Sequence, residues 1–475
     1  MTAKRFISNH LAAYIKLKMY DNKVDEYFLA KNVQVDSNQL INSLNTCYRV
    51  NDDVVKVLIF LNTDVNSVFK RNLSFEKLRN DFFYAVFYSL DDRTKIYHQI
   101  LQQADSLKSS PYSIDILMMK YIFCISVTED YLNLRYYLDR FSVIMPFLSS
   151  YYRKLYYVFL LSYLDNTSQY KGILNIFNYV SSLPCEDINL KGRLYYTGLS
   201  IFRSLGNLEK AKNNYFQAKR YLSEANNIAM LENLNLKYSG LLRISGEIQA
   251  SLKNDLKLLE DYTVKQYRLR NIEILFNNIA WTYSLLHDYK KAVFYYQKAL
   301  ETLNDNDVYF NIAFCCYRIG EEPMASNYVQ LGKKAPSCGD YIYLLLDWLE
   351  LMIQDRYSHK TMQVLQNILK NYESDLEEID KDTIKIEIIN YYYYNRMYEE
   401  AIHALQPLMG KQLISPSELI FTKKNENRHD FLFSEDELTL RSQLMESDDL
   451  FFEDDDLGED DWEELDDSFS RFTHN

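Results

Sequence analysis

An all-helical repeat chain is what this sequence predicts, on three observations. Apolar residues recur at helical spacing along most of its length. Turn formers are scarce, with 11 glycines and 7 prolines among 475 residues. One framework of apolar and small residues returns after 33 positions. Stacked amphipathic helices satisfy all three, whereas a sandwich or barrel needs many more tight turns. The 42 tyrosines and 26 phenylalanines supply bulk for packing between helices.

The first 75 residues break into short helical stretches between polar turns: HLAAYIKLKMYDNK, VDEYFLAKN, SNQLINSLNTCY and NDDVVKVLIFLN. A small N-terminal helical domain over 1–75 is expected. From 76 to 410 the pattern becomes helix-turn-helix pairs. The spans 113–145 and 155–180 carry the rhythm without small residues at the helix contacts. The clearest pair begins at Glu273, where Leu275, Phe276, Ile279, Ala280, Tyr283 and Leu286 mark one helical face. His287-Asp288 breaks it, and Ala292, Tyr296, Ala299 and Leu300 mark the next helix.

This pair resembles the tetratricopeptide repeat. Counted from Glu273, Phe276 stands at repeat position 4, Ala280 at 8, Tyr283 at 11, Ala292 at 20, Tyr296 at 24 and Ala299 at 27. Small residues let two helices approach and aromatics fill the space beside them. A second copy, 192–219, places Phe202, Gly206, Ala211, Tyr215 and Ala218 at equivalent positions. A third, 307–335, has Ile312, Ala313 and Ala325, with Gly320 at the turn and Gly332 in place of the last alanine. A weaker copy over 382–409 keeps Tyr392 and Ala401. The expected architecture is therefore a tetratricopeptide-type α-solenoid.

Residues 29–41, LAKNVQVDSNQLI, resemble the helix-turn-helix of bacterial repressor-type regulators, with Ala30, Val35 and Leu40 at the packing positions. Gln34 replaces the turn glycine, and Ser37 to Asn45 contains no Lys or Arg. DNA binders draw affinity from cationic phosphate contacts, so three readings stay open: a DNA reader, a degenerate motif reused for packing or pairing, or coincidence.

The formal charge of −13 belongs to the end of the chain. Residues 434–475 hold 17 acids against Arg441 and Arg471, a net of −15, which leaves about +2 for residues 1–433. Residues 411–475 are expected to form a polar linker and a disordered acidic tail. Leu450, Phe451, Phe452, Leu457, Trp462, Leu465 and Phe469 punctuate the acids there. A solubilising tail, a docking motif and an intramolecular plug all fit that spacing.

Catalytic signatures are missing from the sequence. The seven histidines follow no metal-ligand spacing, and no phosphate-cradling glycine loop or nucleophile elbow occurs. The DDD and EDD runs lack the glycine and ligand alternation of a calcium loop. His287 reads as a solvated turn residue. The six cysteines show no CxxC spacing and suggest reduced thiols, and the N-terminus has no apolar signal segment. The expectation is a cytoplasmic, non-enzymatic protein that needs no cofactor or metal and does not enter a membrane.

What the resemblance implies about partners comes from the family's concave face, made by the first helix of each repeat at positions 2, 5, 9, 12 and 13. Those positions are Arg193, Tyr196, Ser200, Arg203 and Ser204 in one copy. In the clearest copy they are Ile274, Asn277, Trp281, Ser284 and Leu285. In the third they are Asp307, Phe310, Phe314, Tyr317 and Arg318. Aromatics and arginine are favoured interface anchors. A protein or peptide partner held by Arg193, Tyr196, Arg203, Asn277, Trp281, Phe310, Phe314, Tyr317 and Arg318 is the expectation, in a regulatory scaffold or sensor. The same aromatics could instead pack against a neighbouring repeat. The alternative function is a transcription regulator with N-terminal helices on DNA and repeats that sense a peptide. Solenoids of this kind often pair through terminal repeats, so homodimerisation stays open, although no residue identifies a seam.

Overall fold

The computed structural model describes residues 2–408, apart from 46–50, 64, 66–67, 69–70, 90, 129–130, 266–271, 302, 337–338, 374–375 and 377. The acidic tail, with the disorder and docking roles expected of it, lies outside the described residues. Those residues form 22 α-helices and no strand. Two compact units are distinguished, residues 1–245 with 249–267 and residues 268–475 with 246–248.

The first unit opens with α1 (Thr2–Asp21), α2 (Glu26–Val33), α3 (Ser37–Asn45) and α4 (Asp52–Phe60). Asp25 caps α2 by accepting from the Phe28 amide at 2.7 Å, and Gln34 ends it in a left-handed conformation, φ 55°. That is the geometry a glycine would have supplied. Ala30 and Leu40 are buried and Val35 is half-buried. Next come α5 (Leu73–Phe87), α6 (Arg93–Leu107), α7 (Tyr112–Phe123), α8 (Tyr131–Ile144), α9 (Ser150–Asn166) and α10 (Ile173–Ser182). The unit closes with α11 (Ile188–Ser204), α12 (Leu208–Glu224), α13 (Ile228–Ile244) and α14 (Ile248–Lys265). An apolar core reaches from Leu11 to Leu241, and a second cluster gathers Leu199, Tyr215, Ala218, Leu222, Met230 and Leu234.

The second unit comprises α15 (Ile272–Leu285), α16 (Tyr289–Leu300), α17 (Asn306–Arg318), α18 (Glu322–Gly332), α19 (Asp340–Gln354), α20 (His359–Asn371), α21 (Glu378–Tyr394) and α22 (Tyr398–Leu405).

One local device makes the helix pairs. A residue in the left-handed region reverses the chain, and in several pairs the next residue caps the following helix. Gly206 (φ 71°) precedes Asn207, which accepts from the Lys210 amide, and His287 (φ 61°) precedes Asp288, which accepts from the Lys291 amide. Gly320 (φ 85°) serves between α17 and α18. Ala211, Ala218, Ala292, Ala299 and Ala325 are all fully buried, as close packing between paired helices requires. Gly332 replaces an alanine for a visible reason. A Cβ there would stand 3.0 Å from Tyr309 Cβ and 3.1 Å from Leu346 Cδ1.

His287 departs from its expected solvated role. It is half-buried, its Nδ1 lies 3.0 Å from the Tyr289 hydroxyl, and burial, helped by the Arg318 charge, lowers it to about 4. Cys124, Cys185, Cys315 and Cys316 are free thiols, while Cys47 and Cys338 fall outside the described residues. Among the described residues no helix is long and apolar enough to cross a membrane. Nor, among them, could any group of three or more His, Cys, Asp or Glu hold a metal ion.

Candidate functional site

Helical spacing sets side chains of the second unit around one cavity. On α17, Asp307, Phe310, Asn311 and Phe314 fall at i, i+3, i+4 and i+7, one face of the helix. Trp281, Ser284 and Leu285 reach the same space from α15. Tyr341, Leu345 and Trp348 do so from α19, and Thr383 and Glu387 from α21. The cavity is partly open to solvent, with a volume of about 120 Å³. Pockets for drug-sized ligands run to roughly 300–1,000 Å³, so this one is of a size for a single side chain.

Aromatic and aliphatic side chains make most of the walls. The Phe310 and Phe314 rings stack 6.1 Å apart, and Phe314 lies 6.2 Å from Trp348. Trp281 is half-buried, whereas Trp348 is nearly inaccessible at 3%.

Two carboxylates share the cavity but differ in company. Glu387 is buried and receives Arg318 Nη1 at 3.4 Å and the Tyr357 hydroxyl at 3.3 Å. Asp307 is half-buried, with no cation at ion-pair distance among the described residues. Burial, followed by the like charge of Asp305, raises its carboxyl to about 6, against a hydrogen bond from Asn311. Asp305 is itself engaged as the cap of α17, accepting from the Val308 amide at 3.1 Å.

The structure brings Trp281, Phe310 and Phe314 together at this cavity, along with Asp307, Ser284 and Leu285 from the same repeat positions. Arg318 stands behind the wall on Glu387 and packs on Phe314 and Tyr289 at 5.8 and 5.5 Å. Tyr317 lies outside the cavity, beneath the Arg356 guanidinium at 5.2 Å. Asn277 is also outside it, with a buried Oδ1 that has no protein hydrogen-bond partner. Arg193, Tyr196 and Arg203 belong to the first unit. There the Arg193 guanidinium packs 4.3 Å from the Phe159 ring centroid, and Lys237 Nζ lies 4.6 Å over Tyr196.

Tyr341, Trp348, Thr383 and Glu387 were not legible as site residues. Residues 340–354 carry no repeat alanines, and the copy over 382–409 is too degenerate to number its first helix. An aromatic and acidic face repeating every three or four residues was the available signal. The first unit has its own recess of about 510 Å³, lined by Lys18, Lys108, Lys120 and Arg140 among others. Its Arg140 is already held by Asp21 at 2.9 Å and by the Tyr136 ring at 3.6 Å.

Paired helices with buried small residues at their contacts and a capped left-handed turn between them define a tetratricopeptide-type α-solenoid. Solved structures agree. A Rap protein complexed with competence and sporulation factor matches with a TM-score of 0.56 at 12% identity, over 71% of this chain and 97% of that one. The apo form of RapI matches at 0.50 and 15% identity, over 71% and 99%. Aspartyl phosphate phosphatase F from Bacillus subtilis is a looser match, at 0.47 and 15% identity over 77% and 98%. Likeness at these identities establishes the fold. No protein-family model and no curated protein matches the sequence.

Proposed function

We propose that this chain is a non-enzymatic regulatory scaffold whose second unit binds a peptide or an extended protein segment. One observation carries the reading. Side chains at partner-facing positions of two successive repeats, Trp281 on one and Phe310 and Phe314 on the next, line a common cavity sized for one side chain. Rigid aromatics around such a recess are what an interface anchor needs. The fold likeness to a Rap protein solved with a bound factor supports a sensor of this kind by analogy.

Tryptophan fluorescence tests it, because two of the three tryptophans, Trp281 and Trp348, line the cavity. Titrating the full chain with random hexapeptide pools should shift the emission saturably, and calorimetry should show the heat lost in Trp281→Ala. The reading fails if no pool gives a saturable shift, or if Trp281→Ala binds as the parent does.

The second reading, DNA contact through α2 and α3, has the left-handed Gln34 turn in its favour. Against it, α3 carries no Lys or Arg. A mobility-shift assay at low salt, with no retarded genomic fragment, would remove it.

A further inference from the structure

Resting on the peptide-binding reading, we infer that the cavity takes a cationic side chain, arginine or lysine, of the bound peptide, with Asp307 as its carboxylate partner and the rings of Trp281, Phe310 and Phe314 packed around it. The two carboxylates at the cavity argue this by their difference. Glu387 already holds Arg318, but among the described residues Asp307 has Asn311 as its hydrogen-bond partner, no cation at ion-pair distance, and the like charge of Asp305 acting on it. A half-buried carboxylate beside a like charge is an unfavourable arrangement unless a cation completes it. A place in the first turn of α17 would account for an exposed acid favoured by the helix dipole. It does not account for one that lines an aromatic cavity.

The remaining features select the same chemistry. Aromatic faces attract guanidinium and ammonium groups, most strongly where water is excluded. A volume of about 120 Å³ accommodates the end of one long side chain. An acidic side chain would meet two carboxylates there, and a neutral one would leave Asp307 unmatched.

Hexapeptide pools with one position fixed as arginine, citrulline or leucine, taken through each position in turn, provide the test on the full chain. At the best position the arginine pool should bind at least about tenfold tighter than the citrulline pool, whose side chain has nearly the same shape without the charge. Asp307→Asn should erase that gap while retaining binding of the leucine pool, and its circular dichroism should match the parent. Equal binding of arginine and citrulline pools by the parent overturns the inference, as does a preference that survives Asp307→Asn. If the leucine and citrulline pools bind through Trp281 with no charge preference, the peptide site stands without a cation. If no pool binds, both readings fall. Should Asp307→Asn fail to fold, the arginine–citrulline comparison on the parent decides alone.

Discussion

The Arg318 guanidinium lies 3.4 Å from the Glu387 carboxylate, tying the end of α17 to α21 across 69 residues of sequence. Both side chains are largely shielded from solvent, at 14% and 6% exposure. Removing one member of such a pair strands the other charge, at a cost of about 3–5 kcal/mol when fully buried. Arg318→Met and Glu387→Gln should therefore each destabilise the second unit by roughly 2–4 kcal/mol. The double variant should cost less than their sum by about 1 kcal/mol or more. Strict additivity in urea unfolding would show that the pair is not coupled.

Ala292 and Ala299 are fully inaccessible where α16 meets its neighbours. Ala292→Leu should overpack that contact and lower stability by about 1–3 kcal/mol, since well-packed interiors take added methylenes badly. An unchanged melting temperature would mean that the small residue is not a packing requirement there.

Trp281 and Trp348 line the same cavity with different burial, so their alanine variants should separate. Trp348→Ala should cost about 3–5 kcal/mol of folding stability. Trp281→Ala should cost about 2 kcal/mol or more of peptide binding with a much smaller change in melting temperature. If Trp281→Ala melts the protein as Trp348→Ala does, Trp281 is a core residue.

Asp307 gives the second unit a pH dependence of known sign. Its carboxyl is raised to about 6, above an unfolded value near 3.9, so the folded state holds the proton more tightly. Its contribution is full below about pH 4, declines as pH rises through 6, and is flat above that. Asp305 and Asn311 on its own segment, Tyr289 of α16, Tyr341 of α19 and Glu387 of α21 are the groups around it or along the same cavity. Asp307→Asn should be more stable than the parent by roughly 1–3 kcal/mol near neutral pH, with the difference vanishing near pH 4. Binding of a cationic peptide should run the other way and weaken below about pH 6, as the carboxylate protonates. Urea unfolding of both proteins across this range checks the first statement, and titration of the arginine pool checks the second.

The helix pairs, turns and buried alanines of 192–219, 273–300 and 307–332 were legible in the sequence, because each is encoded locally. A face repeating every three or four residues specifies a helix. A break at His287-Asp288 specifies a turn, and an alanine 33 residues from its counterpart specifies a close contact. Even Asp307, Phe310 and Phe314 fall on one face of α17 by their spacing alone.

Periodicity says which side of a helix is apolar, not which other helix meets it. That Trp348 and Glu387 share a cavity with Trp281, that Arg318 is held by Glu387 while Asp307 has no cation at ion-pair distance among the described residues, and that His287 is half-buried at a turn were decided by tertiary packing. Each depends on side chains brought together from helices distant in sequence, and charge pairing and desolvation exist only once those helices have met.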